Sequence, residues 1–180
     1  MRICFYDLET TALRASFGQL LCGVVGEYNS AQPELPVLST FTLADFSTPV
    51  GRCNDKQLAE DIAGTLEEFD LVIGYNSVMF DKRFLDTRLA KYGLPGCVLK
   101  RHKDLLYVMR SKFLLQSNSL ENAARFLFGE TVKTKLSLDL WRLAHAGSLE
   151  AYTEVIEHCK MDVVELARVW ERVKSVAGDL

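Results

Sequence analysis

The chain has 180 residues, a hydrophobic content of 48% and a formal net charge of −3 at pH 7. This length and composition suit one domain with one core, which we expect to span residues 1–180. The weakly acidic charge excludes binding of nucleic acid through bulk positive charge, and no apolar run approaches the roughly 20 residues of a membrane-spanning helix, so we expect no membrane association.

The first half of the chain predicts three strands joined by short connections, which form an antiparallel meander. Apolar, aromatic and β-branched residues dominate residues 2–8, 18–28 and 37–44. A helix follows, with Asp55 as its N-cap and apolar residues at helical spacing. Residues 71–75 form a short apolar run that is typical of a buried strand.

The second half predicts helices and one short strand. Residues 80–92 have the pattern of an amphipathic helix that ends at Gly93 and Pro95, and residues 97–104 predict a fifth strand. Further helices are expected at residues 104–113, at residues 119–128, and from Ser148 to about Ala177 with room for a break. This order predicts an α/β fold with a mixed five-stranded sheet, three antiparallel strands and then two more, flanked by helices.

The cysteines are scattered and odd in number: Cys4, Cys22, Cys53, Cys97 and Cys159. This pattern argues against a disulfide framework and against a zinc knuckle. We expect free thiols in a reducing compartment and therefore a cytoplasmic location. Cys159 beside His158 suggests a thiol nucleophile, but sequence neighbours on a helix point in different directions, which disfavours this alternative.

Acidic residues follow two of the predicted strands. Asp7 and Glu9 are two residues apart on the first strand, so their carboxylates leave the same face and repel each other unless a cation lies between them. The alternative is that the strand has already ended and both acids are solvated. Asp81 starts a helix after a buried strand, where the helix dipole alone favours an acid, and Asn76 is a common turn residue after a strand.

His158 and Asp162 are four residues apart on the last predicted helix, which places them on one face. Asp162 lies among apolar residues, and a carboxylate that close to a core needs a partner. A lone histidine in this setting is more often structural than catalytic. Carboxylates from three distant segments are nevertheless the ligands that a magnesium pair needs, and two such ions clamp the attacking and leaving oxygens of a phosphodiester.

A basic stretch at residues 100–112 is the candidate nucleic-acid patch. Its cationic side chains stand against a single acid, Asp104: Lys100, Arg101, His102, Lys103, Arg110 and Lys112, with Lys133 and Lys135 in addition. The alternatives are a solvated face and a docking site for a protein partner such as a polymerase or helicase.

At these residues the chain resembles the DEDD superfamily of 3′–5′ exonucleases, which have a ribonuclease-H-like fold. The likeness rests on Phe5-Tyr6-Asp7-Leu8-Glu9-Thr10-Thr11, on Asn76-x-x-x-Phe80-Asp81, and on Asp162. It implies that Asp7, Glu9 and Asp162 hold metal directly and that Asp81 contributes to the second ion or its waters. It also implies that Thr10 and Leu13 line the pocket for the terminal nucleotide, and we assign Asn76 and Phe80 of the second motif to substrate binding.

The third motif differs from both subclasses of that family. One subclass has a tyrosine four residues before the last aspartate, the other a histidine five residues before it, and this chain has His158 at the four-residue offset. Four helical steps return to within about 40° of the same direction and five miss it by about 140°, so we expect His158 to occupy the tyrosine's place. An imidazole of pKa ~6.5 can accept a proton from water, whereas a phenol of pKa ~10 only orients it.

We therefore expect a metal-dependent 3′–5′ exonuclease that uses two Mg²⁺ or Mn²⁺ ions and releases nucleoside 5′-monophosphates from single-stranded DNA. An exoribonuclease and a non-catalytic module that binds nucleic-acid ends are the alternatives. We expect a monomer that acts with a replication or repair partner.

Overall fold

A mixed five-stranded sheet in the order β3-β2-β1-β4-β5 forms the centre of the computed structural model, which describes residues 1–43, 54–132, 134 and 136–178. The strands are β1 (Ile3–Thr10), β2 (Leu20–Glu27), β3 (Val37–Thr42), β4 (Leu71–Gly74) and β5 (His102–Asp104). β1, β2 and β3 pair antiparallel, whereas β4 joins β1 and β5 joins β4 in parallel. The predicted fold class is confirmed, with the first strand in the middle of the sheet.

The described residues form six helices: α1 (Lys56–Glu67), α2 (Asp81–Lys91), α3 (Leu105–Lys112), α4 (Leu120–Phe128), α5 (Leu138–His145) and α6 (Leu149–Val173). Ser148 caps α6 as predicted, because its side chain accepts a hydrogen bond from the Ala151 amide. Within the described part of the chain, no helix has the length and apolar character to cross a membrane.

Helices α1 and α6 cover opposite faces of the sheet, and two glycines of β2 let them approach closely. A Cβ at Gly23 would lie 2.7 Å from Ile62 of α1, and a Cβ at Gly26 would lie 2.7 Å from Val163 of α6. These glycines are three residues apart in one strand, so they face opposite sides. As a result, β2 is buried along nearly its whole length. Helices α4 and α5 pack against α6.

Several bounds differ from the predictions. β3 ends at Thr42, and residue 44 of the predicted strand lies outside the described residues. β5 has only three residues, and α6 is continuous and ends at Val173. Helix α5 was not predicted: Ser137 caps it by accepting a hydrogen bond from the Leu140 amide.

Asp55 lies at the predicted N-cap of α1, but its side chain makes no capping hydrogen bond. It accepts hydrogen bonds from Arg88 instead, at 2.8 Å from Nε to Oδ2 and 2.6 Å from Nη2 to Oδ1, and both side chains are buried. Arg88 Nη1 also donates to the carbonyls of Ala15 and Gly18, at 3.0 and 2.6 Å. This buried pair therefore ties the loop of residues 11–19 to α1 and α2.

Four of the five cysteines are free thiols, and all four are buried: Cys4, Cys22, Cys97 and Cys159. Cys53 lies outside the described residues.

Candidate active site

The carboxylates of Asp7 and Glu9 leave the same face of β1, as alternation along a strand requires. Both residues are half-buried, and their partners in β2 are Val24 and Cys22. Leu8 between them packs on the opposite face, where its side chain comes within 2.9 Å of the position of a Cβ at Gly23. The two acids thus point toward α6, whereas Leu8 belongs to the core under α1.

Helix α6 brings three side chains to this pair of acids. The Cys159 thiol lies 3.4 Å from Asp7 Oδ2. His158 Nε2 lies 3.7 Å from Glu9 Oε1 and 3.8 Å from Asp162 Oδ2. The structure therefore brings together four of the five predicted catalytic residues, which come from the central strand and the last helix.

The other ring nitrogen of His158 is held from the segment between α4 and α5. Thr134 Oγ1 lies 2.7 Å from His158 Nδ1, so the imidazole is oriented on both sides. Glu165, which is fully buried, anchors the start of that segment by accepting from the Val132 amide at 2.6 Å and the Thr131 hydroxyl at 3.1 Å. Sequence analysis missed this support, because a single hydroxyl between two helices gives no local signal.

Asp81 lies at the same end of β1 but engages the strand backbone. β4 pairs with β1 only as far as Phe5, and beyond that point the Leu8 amide donates to Asp81 Oδ1 at 3.2 Å. Burial raises the pKa of the Asp81 carboxyl to about 7; hydrogen bonds from its own amide and from Leu8 oppose the shift, and the charge of Asp104 adds to it. Asp81 thus replaces the missing strand partner of β1.

Asp104 holds the turn between β4 and α2. Its carboxylate accepts from the amides of Asn76 and Val78 at 2.8 and 3.0 Å, and from the amide of Leu106 as the N-cap of α3. Asn76 has a φ of 60°, a left-handed conformation in which asparagine is enriched. Asp104 therefore positions the turn that carries Asn76. In the sequence it is visible only as an acidic residue between a predicted strand and a predicted helix.

An apolar cavity of about 430 Å³ opens beside Glu9. Three of the four predicted substrate-binding residues line it: Thr10, Leu13 and Phe80. The unpredicted helix α5 contributes Trp141, which packs partly against the core, together with other lining residues: Leu138, Arg142 and His145. The signal that sequence analysis overlooked was Ser137 followed by apolar residues at helical spacing.

A polar cavity of about 540 Å³ borders Asp7 and Asp162. The fourth predicted substrate-binding residue, Asn76, lines it together with Arg110 of α3. The remaining lining residues come from the β4–α2 turn, α3 and the segment that leads into α4: Tyr75, Leu106, Gln116, Ser117, Asn118, Ser119 and Leu120.

The predicted basic stretch does not present its charges together. Lys100 forms an exposed ion pair, and Lys103 donates to carbonyls near the C-terminal end of the described chain. His102 is turned inward, 2.9 Å from Ser77 Oγ, and burial lowers the pKa of its imidazole. Of the stretch, Arg110 faces the polar cavity. Two further lysines of the predicted patch lie outside the described residues: Lys133 and Lys135.

The donor chemistry of this site fits a divalent cation. Asp7, Glu9 and Asp162 supply hard carboxylate oxygens, which Mg²⁺ and Mn²⁺ prefer. In the part of the chain that the structure describes, no three Asp, Glu, His or Cys side chains are already arranged as a metal site. The His158 imidazole lies between Glu9 and Asp162, so metal binding requires these carboxylates to turn toward a common point.

The mixed sheet of this order, flanked by helices, is an α/β fold of the ribonuclease-H-like type. The family model for the RNase_H superfamily matches residues 4–174, and the chain belongs to that superfamily. Ribonuclease-H-like nucleases generally use divalent metal ions and act on nucleic acids, so membership indicates a nuclease-type hydrolase.

Among solved structures, the chain is similar to the family B DNA polymerase from the hyperthermophilic archaeon Pyrobaculum calidifontis, with a TM-score of 0.72 and 16% sequence identity. The match covers 97% of this chain and 24% of the polymerase chain. At this identity the likeness shows the shared fold. A search of curated protein sequences found no match.

Proposed function

We propose that the protein is a metal-dependent 3′–5′ exonuclease that removes nucleoside 5′-monophosphates from the 3′ ends of single-stranded DNA. The observation that carries the proposal is the convergence of the central strand and the last helix: His158 lies against Glu9 and Asp162, and the neighbouring Cys159 contacts Asp7. Membership of the RNase_H superfamily supports the general chemistry.

Asp7, Glu9 and Asp162 are the proposed direct ligands of two Mg²⁺ or Mn²⁺ ions, and Asp81 would contribute to the second ion or its waters. When bound, such ions neutralise phosphate charge and lower the pKa of the attacking water. The carboxylates also repel phosphate unless cations are present, which makes activity depend on metal.

His158 is the proposed proton acceptor. In the tautomer in which Nδ1–H donates to Thr134 Oγ1, Nε2 keeps its lone pair and faces Glu9 and Asp162. From that position Nε2 accepts the proton of the attacking water or orients it. Thr134 thus fixes the direction of the ring.

The apolar cavity is the proposed pocket for the terminal nucleoside. Its wall of Leu13, Phe80 and Trp141 suits the faces of a nucleobase, which stack on aromatic side chains without regard to base identity. Such a pocket is reached by an unpaired strand end, which favours a single-stranded substrate. RNA remains the alternative strand, because stacking does not distinguish deoxyribose from ribose.

A non-catalytic module that binds nucleic-acid ends is the second candidate. Two observations favour it. Asp81 accepts a hydrogen bond from the Leu8 amide, and among the described residues the other acids are not arranged as a ready metal site. Such a protein would bind strands in EDTA and leave them intact in Mg²⁺ or Mn²⁺.

Digestion of a 5′-labelled single strand in Mg²⁺, in Mn²⁺ and in EDTA tests the proposal. We expect a ladder that shortens from the 3′ end in either metal and an intact strand in EDTA. Asp162→Asn should abolish the ladder, whereas Glu154→Gln, an exposed position on the same helix, should leave it unchanged. Cleavage at internal positions, or full activity of Asp162→Asn or Asp7→Ala, contradicts the assignment.

A further inference from the structure

We propose that the loop between β1 and β2, residues 11–19, separates the two strands at the end of a DNA duplex, with Phe17 stacked on the last closed base pair. The inference rests on the proposed exonuclease function and deepens it, because it adds paired 3′ ends to the substrates. The proposed terminal-nucleoside pocket receives an unpaired nucleotide, so a paired end must open before it can enter. Loop 11–19 forms part of that pocket through Thr11, Ala12 and Leu13.

Phe17 is the most exposed aromatic side chain of this loop. Its side chain is 90% exposed, and Leu13, which borders the nucleoside pocket, is 83% exposed. Apolar surface in water is unfavourable, and the face of an aromatic ring stacks on any nucleobase without regard to its identity. The loop therefore presents an uncovered stacking surface next to the pocket that receives the strand end.

Hydrogen bonds hold the loop in one shape. At its base, the Thr11 amide donates to the Gln19 carbonyl and the Gln19 amide donates to Thr11 Oγ1, both at 2.9 Å. At its centre, the Arg14 carbonyl accepts from the amides of Phe17 and the following residue, and the buried Arg88 donates to two further carbonyls of the loop. Phe17 thus stands on a fixed backbone, which reduces the entropy lost when a base pair stacks on it.

A cationic cavity lies beside the loop and suits a second strand. It has a volume of about 250 Å³ and shares Leu13 and Phe80 with the nucleoside pocket. Its lining includes two exposed arginines, Arg14 and Arg83, and no acid among the described residues. The acids of the active site repel phosphate, whereas these guanidiniums attract it. One strand can therefore enter the nucleoside pocket while its complement follows the arginines on the other side of Leu13 and Phe80.

Stacking on Phe17 is large enough to open one base pair at a time. The stacking of a base on an aromatic side chain is of the same order as the stacking lost when one base-pair step of DNA opens. The loop can therefore offset the cost of opening without any other source of energy. After each hydrolysis the next base pair would meet the same side chain. An acidic protein surface would also fit the two arginines, but their position beside the nucleoside pocket favours a nucleic-acid strand.

Three DNA substrates of one sequence test the assignment: a blunt duplex, the single strand, and a duplex whose 3′ end is already unpaired by mismatches. Their hydrolysis is measured in Mg²⁺. A second readout needs no hydrolysis: the fluorescence of 2-aminopurine at the 5′ end of the complementary strand, in EDTA, at protein concentrations where anisotropy shows the duplex bound. The proteins are the wild type, Phe17→Ser, and Phe126→Ser as a matched control, because Phe126 is an exposed phenylalanine that lines neither cavity. Thermal unfolding checks that the fold is unchanged.

We expect Phe17→Ser to lower kcat/KM on the blunt duplex about 10-fold, as the loss of one stacking contact implies, and to change it less than about 2-fold on the other two substrates. The wild type should raise the 2-aminopurine fluorescence, because the probe loses its stacking neighbour to Phe17. Phe17→Ser should abolish this rise and Phe126→Ser should keep it.

Equal losses on all three substrates, a full rate of Phe17→Ser on the blunt duplex, or no fluorescence change with the wild type overturns the proposal. A duplex rate that is unchanged in Arg14→Ala/Arg83→Ala would overturn the path of the second strand and leave the cationic cavity to an acidic protein partner. A fluorescence rise that depends on Phe17, without any hydrolysis in metal, would support the role of the loop and contradict the exonuclease.

Discussion

Arg88→Met should destabilise the protein by about 3–5 kcal/mol, the usual cost of breaking a buried ion pair from one side. Methionine has a similar length but no charge and no donor. The substitution removes five hydrogen bonds, to Asp55, to the carbonyls of Ala15 and Gly18, and to the Tyr92 hydroxyl. It also leaves the fully buried Asp55 carboxylate without its cation.

Urea unfolding followed by circular dichroism measures this cost. Arg125→Met is the matched control, because Arg125 forms an exposed pair with Glu121 one helical turn away, and we expect a loss of about 0.5 kcal/mol or less. The double variant Asp55→Asn/Arg88→Met should be more stable than Arg88→Met, because it buries no uncompensated charge. A cost for Arg88→Met no larger than that of Arg125→Met would refute the reasoning.

The same pair makes stability depend on pH in a defined direction. Burial acts to raise the pKa of Asp55, but hydrogen bonds from Arg88, Tyr92 and the Leu20 amide lower it below the ordinary value of 3.8. A carboxyl with a lowered folded-state pKa stabilises the protein above its unfolded-state pKa and loses that contribution as the pH falls. The advantage of the wild type over Asp55→Asn should therefore hold near neutrality and shrink below about pH 4.

Three further predictions concern the site and its support. Thr134→Val should lower kcat about 3- to 10-fold without raising KM, because His158 Nδ1 loses one hydrogen bond. The control, Thr134→Ser, keeps the hydroxyl and should retain the rate. An unchanged kcat in the valine variant would rule out the positioning role of Thr134. Trp141→Ala should raise KM for short single strands about 10-fold with a smaller effect on kcat, because a base loses its stacking surface, and a loss confined to kcat would contradict this. Burial lowers the pKa of His102, so folding becomes less favourable as the pH falls through 6.5, and urea unfolding of His102→Gln at pH 7.5 and 5.5 should show a weaker pH dependence than the wild type.

The elements that sequence reasoning found are those whose signal is local. β1 is a run of apolar and aromatic residues that ends in Asp7 and Glu9, and the alternation of side chains fixes the shared face of these acids. Helical spacing alone predicted that His158 and Asp162 share one face of a helix, and in the structure α6 places that face next to β1. The order of the elements was enough for the fold class and for the antiparallel meander of β1, β2 and β3, whereas the positions of β4 and β5 in the sheet were not predicted.

What the sequence analysis did not find depends on residues far apart in the chain or on weak local patterns. The pairing of Asp55 with Arg88 joins positions 33 residues apart, and the capping pattern at Asp55 suggested a different role. The helix α5 has only eight residues, so its start signal at Ser137 and the short apolar pattern after it were overlooked. The basic stretch looked uniform in sequence, yet the packing of the sheet turns His102 inward and leaves Arg110 beside the acids.

The unequal lengths of β1 and β4 have a consequence for mutagenesis of the central acids. β4, the parallel neighbour of β1, ends at Gly74. Farther along β1, the Leu8 amide therefore donates to the Asp81 carboxylate instead of to a strand. Asp81→Ala would therefore remove the hydrogen bond to the Leu8 amide and the carboxylate at the same time. The loss of activity in an alanine scan would then combine a structural effect with an effect on the site. Asparagine separates them, because its amide oxygen can still receive the Leu8 hydrogen while the charge is gone.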